Sequence, residues 1–160
     1  AHLTGEFLLR SGKTSNEYFD KYQFEARPEI LEPLADAMIP LLPDNFDLLG
    51  AMEMGGIPIA TAIAIKTGKP MVFVRKEAKE YGTCKFAEGP DIEGKNICLI
   101  EDVITTGGQV VISTGMLREK GAKITDVVAV IDRSLGDHSK LKGADLNLNA
   151  LFTMDELKQS

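Results

Sequence analysis

Nearly uninterrupted apolar runs at 47–51, 71–74, 97–100 and 127–131, with an alternating run at 146–151, predict strands. Runs that lack polar alternation fit strands covered on both faces, as in a parallel sheet. Between them the spacing becomes helical. One helix is expected near 29–42, starting at Pro28 with Leu34, Met38 and Leu41 on one face, although Pro33 and Pro40 each remove a hydrogen bond. A second, near 57–67, has Pro58 in its first turn, and a third, near 109–120, carries Val110, Thr114 and Leu117 and ends at Gly121. The alternation predicts an α/β fold: a mostly parallel central sheet with helices on both faces. Leu3, Phe7 and Leu8 read as a helix and turn already under way, so the numbering is expected to begin inside a longer chain. At the other end Thr153 is placed to cap a short final helix.

With 160 residues and no repeat, low-complexity stretch or linker, one domain spanning 1–160 is expected. No apolar run is long enough for a membrane helix, and the first residues have no signal-peptide pattern. A net charge of −6 argues against a general nucleic-acid surface, so any polyanion must be met by cations gathered locally, as between Arg75 and Lys85. Cys84 and Cys98 form no metal spacing and suggest no disulfide, which makes a cytoplasmic setting the expectation. Cys98 reads as a small core residue and Cys84 as a bystander thiol.

The candidate chemistry centres on 96–109. The apolar strand there leads into Glu101 and Asp102 and then Thr105, Thr106, Gly107, Gly108 and Gln109, with a helix following. A glycine-bearing turn that opens a helix offers free N–H groups and a positive dipole end to an anion. The threonine hydroxyls add donors. The carboxylates repel an anion and suit sugar hydroxyls or a divalent metal instead. A second strand–turn–helix of the same kind carries Gly55 and Gly56, which serve either an anion or tight packing. Gly12-Lys13-Thr14 is no P-loop, because Phe7 stands where that motif needs glycine. The polar run from Arg75 to Gly89 reads as a mobile loop.

The 96–109 pattern resembles the phosphoribosyl-diphosphate (PRPP) motif of type I phosphoribosyltransferases. Arg75-Lys76-Glu77-Ala78-Lys79 directly after a strand resembles the catalytic loop of the orotate phosphoribosyltransferases within that family. The segment Ser11-Gly12-Lys13-Thr14-Ser15, followed by Tyr18 and Phe19, resembles their amino-terminal part. The resemblance implies transfer of the phosphoribosyl group of PRPP to orotate, giving orotidine 5′-monophosphate and pyrophosphate in pyrimidine synthesis. It implies a small N-terminal hood from 1–26, with Lys13 and Phe19 near the base. Glu101 and Asp102 would hold the ribose hydroxyls, and the loop Thr105, Thr106, Gly107, Gly108 and Gln109 the 5′-phosphate. Gly55 and Gly56 would meet the pyrophosphate; where some relatives have a lysine at position 55, this chain has none. Arg75, Lys76 and Lys79 would contact the diphosphate, with Lys79, Arg75 and Asp102 as the catalytic residues. Tyr81 stands where relatives often have histidine; it can donate a hydrogen bond but cannot change charge near neutral pH. Arg133 would bind the orotate carboxylate, with pairing to Asp132 as the competing reading.

Mg²⁺ is implied as the cofactor, carried mainly by PRPP, with Glu101 and Asp102 as the protein carboxylates within its range. A homodimer is implied as well, its 75–89 loop reaching the neighbouring subunit. No nucleic-acid or membrane partner is expected. Two other readings are a phosphoribosyltransferase for another base and a non-catalytic PRPP-sensing regulatory domain. The first would leave Arg133 without its partner, and the second would leave the cationic loop without a task.

Overall fold

Each central strand carries an apolar run because layers of helix cover it from both sides. The computed structural model describes residues 2–9, 12–82 and 85–159, so the reading of Cys84 falls outside the described residues. In chain order the elements are strands β1 (His2–Leu8) and β2 (Thr14–Phe19), then helices α1 (Tyr22–Glu25) and α2 (Pro28–Met38). After a 3-10 turn at Ile39–Leu41 come β3 (Leu48–Met52), α3 (Gly56–Thr67), β4 (Met71–Val74) and β5 (Ala87–Glu88). The chain continues with β6 (Asn96–Ile104), α4 (Gly108–Glu119), β7 (Lys123–Asp132), α5 (Ser139–Gly143), β8 (Asn147–Thr153) and α6 (Met154–Gln159).

The main sheet has the order β5-β4-β3-β6-β7-β8, parallel throughout except for the antiparallel edge strand β5. Successive residues of a strand point to opposite faces. Leu49, Ala51, Cys98, Ile100 and Val128 therefore pack with Leu34, Ala35 and Met38 of α2 and Ile59 and Ile63 of α3. Leu48, Leu99, Val127 and Ala129 pack on the other side with Val110 and Leu117 of α4 and Leu141 of α5. Burial pushes the Cys98 thiol up to about 12, consistent with a core residue. The prolines of α2 are accommodated separately. Pro33 lies on its exposed side at the loss of one bond, and Pro40 sits in the 3-10 turn that ends the helix.

Two expectations are corrected. Leu3, Phe7 and Leu8 belong to strand β1 of a separate two-stranded antiparallel sheet with β2, not to a helix. A spacing of four residues satisfies both the helical and the strand period, and the contact of Phe7 with Tyr18 across the hairpin, centroids 5.4 Å apart, belongs to the strand. Strand β6 runs to Ile104 rather than stopping at Ile100, because Val103 and Ile104 continue the pairing with Ile131 and Asp132 of β7. Glu101 and Asp102 thus lie inside the strand. Strand β5 and helices α1 and α5 are too short to leave a periodic signal. The final helix follows its expected cap: Thr153 Oγ1 accepts from Glu156 N–H at 3.3 Å while the Glu156 carboxylate accepts from Thr153 N–H at 2.7 Å.

Candidate active site

Strand order reverses between β3 and β6: the chain moves outward from β3 to β4, and outward the other way from β6 to β7. In open α/β sheets ligands bind at such a point, beyond the carboxyl ends of the strands. The turn after β3 and the loop after β6, both singled out in the sequence, therefore stand next to each other.

The first of them, 53–56, has a cis peptide at Glu53–Met54, and Gly55 precedes the first residue of α3. Its glycines are needed for packing. A Cβ on Gly56 would run into the Ile100 carbonyl, and one on Gly55 would overlap Asp102 Oδ2 and lie 2.8 Å from Glu25 Oε1. In the second, Thr105 and Thr106 are exposed, and Thr106 Oγ1 accepts from Gly108 N–H at 3.3 Å. Gly107 has a left-handed φ of 74° at the start of α4, and a Cβ there would come within 2.7 Å of Leu141. Gln109 turns along the helix to Ser113 Oγ at 3.2 Å.

Between these turns lies a carboxyl cluster. Asp102 is 1% exposed; its Oδ1 accepts from Val103 N–H at 2.5 Å and its Oδ2 pairs with Lys21 Nζ at 2.5 Å. Glu101 Oε1 accepts from Asp102 N–H at 3.0 Å. Glu25 Oε1 is buried beside Asp102 Oδ2 at the Gly55 turn. Burial would raise Asp102, but Lys21 and its other hydrogen bonds hold it below the usual range. Glu25 is pushed up to about 8, first by burial and then by Asp102. Burial and the Asp102 charge also raise Glu101. Lys21 and Glu25 had no signal in the sequence beyond sharing one side of a short turn at i, i+4; only the fold brings them to β6.

The cationic loop leaves the end of β4, beside β3. Arg75 N–H donates to Phe86 O at 3.0 Å, and Lys76 N–H to Glu53 Oε1 at 3.4 Å, which ties the base of the loop to the 53–56 turn. The side chains of Lys79 and Arg75 meet Glu88 Oε1 on β5, at 2.6 and 3.6 Å. Lys79 accordingly holds the Glu88 carboxyl low. Glu88 was missed because a lone acid in a polar run carries no signal. Tyr81 is 75% exposed. In this structure Glu88 therefore holds Arg75 and Lys79 at the edge strand.

A cleft of about 320 Å³ opens between the hairpin and the end of β7, with Tyr18, Phe19, Arg133, Leu135 and Met154 in its lining. Phe19 packs on Phe24, centroids 6.2 Å apart. Asp132 is occupied by His138 Nε2 at 2.7 Å and by Ser134 N–H at 2.8 Å, which leaves the Arg133 guanidinium to the cleft. Lys13 is exposed between the two strands of the hairpin.

A family model described as a phosphoribosyl transferase domain matches residues 23–147. An orotate phosphoribosyltransferase of a Nocardioides strain is 54% identical over 155 residues, covering 97% of this chain and 87% of its own. That of Methanopyrus kandleri is 38% identical, covering 96% of this chain and 83% of its own. The solved orotate phosphoribosyltransferase of Aeropyrum pernix has a TM-score of 0.87 at 26% identity, covering 99% of this chain and 91% of that one. A domain match across most of the chain, and relatives this similar across nearly all of it, place the chain in the phosphoribosyltransferase family, among the orotate phosphoribosyltransferases.

Proposed function

We propose that this chain transfers the phosphoribosyl group of PRPP to orotate, releasing pyrophosphate, in a cytoplasmic homodimer. The observation that carries the reading is the meeting of two glycine-bearing strand-to-helix turns at the β3–β6 reversal, with the acid pair between them. The loop of Thr105, Thr106, Gly107, Gly108 and Gln109 takes the 5′-phosphate on its N–H groups and hydroxyls. The Gly55–Gly56 turn faces the diphosphate, and Glu101 and Asp102 take the ribose. Orotate enters the Phe19–Arg133 cleft, where a planar guanidinium suits a carboxylate, and Lys13 lies on the hood above it.

The bond from the ribose anomeric carbon to pyrophosphate breaks and a bond to the orotate nitrogen forms, through a sugar centre that carries positive charge. Negative charge on the acid pair stabilises that centre, and Arg75, Lys76 and Lys79 stabilise the departing pyrophosphate. Arg75 and Lys79 must first leave Glu88, so the 75–89 loop closes as PRPP arrives and excludes water, reaching toward the neighbouring subunit. Tyr81 serves as a donor to phosphate.

Mg²⁺ is carried mainly by PRPP, with Glu101 and Asp102 the protein carboxylates within its range. Of these Asp102 Oδ2 is already paired with Lys21, which favours the phosphates of PRPP as its principal ligands.

The test is orotate absorbance after mixing with PRPP and Mg²⁺, with uracil and hypoxanthine in parallel. PRPP-dependent loss of orotate with release of pyrophosphate is expected. Consumption of another base alone overturns the assignment of Arg133, and PRPP binding without any reaction overturns catalysis.

A further inference from the structure

The resemblance accounts for Glu101 and Asp102 but assigns nothing to the two residues that meet Asp102 from outside the sheet. Lys21 and Glu25 come from the short turn that follows the hairpin: Lys21 Nζ pairs with Asp102 Oδ2, and Glu25 Oε1 is buried beside the Asp102 carboxyl group. Three carboxyl groups and one ammonium thus share a pocket in which Asp102 is 1% and Glu25 6% exposed. Three ionised carboxylates there would repel a substrate with a phosphate and a diphosphate, and would also repel one another.

We propose that Lys21 and Glu25 are positioning residues for phosphoribosyl transfer, fixing the Asp102 carboxylate in one orientation and balancing its charge before PRPP binds. The geometry gives each a separate part. Lys21 supplies the positive charge on Oδ2, while the N–H of Val103 holds Oδ1, so the carboxylate cannot rotate. Glu25 places a second buried carboxyl group beside Asp102, and burial favours its protonated, donating form. The Gly55 turn leaves the space in which these atoms meet, since any side chain at Gly55 would displace them. Because α1 directly follows β2, the same contacts tie the base-side hairpin to the strand that holds the sugar. The proposal rests on the reading of Asp102 as a sugar-site residue.

The experiment is a double-mutant cycle on the full chain. PRPP and orotate KM and kcat are measured for Lys21→Met, Asp102→Asn and the pair combined, with circular dichroism to confirm folding. Lys21→Met keeps the aliphatic stem and is expected to raise the PRPP KM at least about tenfold with little change for orotate. Adding it to Asp102→Asn is expected to cost less than about threefold more, because the partner it serves is already neutral. Should Lys21→Met not fold, Lys21→Gln is measured in its place in both backgrounds. Glu25→Ala is expected to raise the PRPP KM several-fold, and Glu25→Gln, which keeps a donor, to recover most of it. Equal effects of Lys21→Met in both backgrounds, or no effect in either, overturn the proposal. Wild-type PRPP kinetics in Asp102→Asn overturn instead the reading on which it rests.

Discussion

At Gly55 any side chain must share space with a carboxylate, because its first carbon would overlap Asp102 Oδ2. Asp102 cannot turn aside: it is buried, and Val103 N–H and Lys21 hold its two oxygens. Gly55→Ala should therefore cost about 1–3 kcal/mol, as overpacking does. The measurement is the urea midpoint; a midpoint unchanged from wild type would mean that the turn shifts freely. Glu25 beside it adds a pH dependence. Its folded value of about 8, raised by burial and then by Asp102 from 4.5, means that the folded chain keeps a proton the unfolded chain releases above about pH 4.5. The stabilisation is complete below that pH and is lost as pH rises through 8. Relative to Glu25→Gln, which cannot titrate, the wild-type melting temperature should fall by several degrees, about 2–4 °C per kcal/mol, between pH 5 and 9. A constant difference across that range would show that Glu25 titrates alike in both states.

Strand β5 is two residues long, yet it decides where the cationic loop rests, because it presents Glu88 to Lys79 and Arg75. The pair is partly exposed and should hold the loop back only weakly, so Glu88→Gln should lower the PRPP KM by up to about fivefold. A raised KM would instead mean that Glu88 helps to bind PRPP. Lys79→Ala should lower kcat by about 100-fold or more while changing orotate affinity little, since its charge is needed on the departing pyrophosphate; unchanged kcat would remove the loop from the mechanism. The elements differ in how far the sequence shows them. Strands β3, β4, β6 and β7 are legible because burial on both faces leaves each an unbroken apolar run. The end of β6 is not, since its acids interrupt the run while pairing with β7 continues past them. The hairpin is not legible either, because it buries little and Leu3 and Phe7 fit two periods.

Across the whole molecule the proposed site falls into two parts that different layers build. The part proposed for the sugar and phosphates lies at the carboxyl ends of β3 and β6, where sequence motifs mark the glycines and acids directly. The part proposed for the base is a cleft formed by the hairpin, the end of β7 and α6, which join there from distant parts of the chain. Arg133 is legible by resemblance, but its freedom depends on His138 and Ser134 taking Asp132, a contact that only the fold reveals. Lys21 and Glu25 were hidden for the same reason, since their meaning lies in a strand about 80 residues away. If the two parts are energetically separate, Arg133→Ala should raise the orotate KM by about 10- to 100-fold, the worth of a charge-assisted pair, and leave PRPP affinity unchanged. Calorimetry of PRPP binding alongside steady-state kinetics distinguishes the outcomes. Loss of both affinities would mean that Arg133 holds the hairpin against the sheet, and that the base site and the sugar site are built as one.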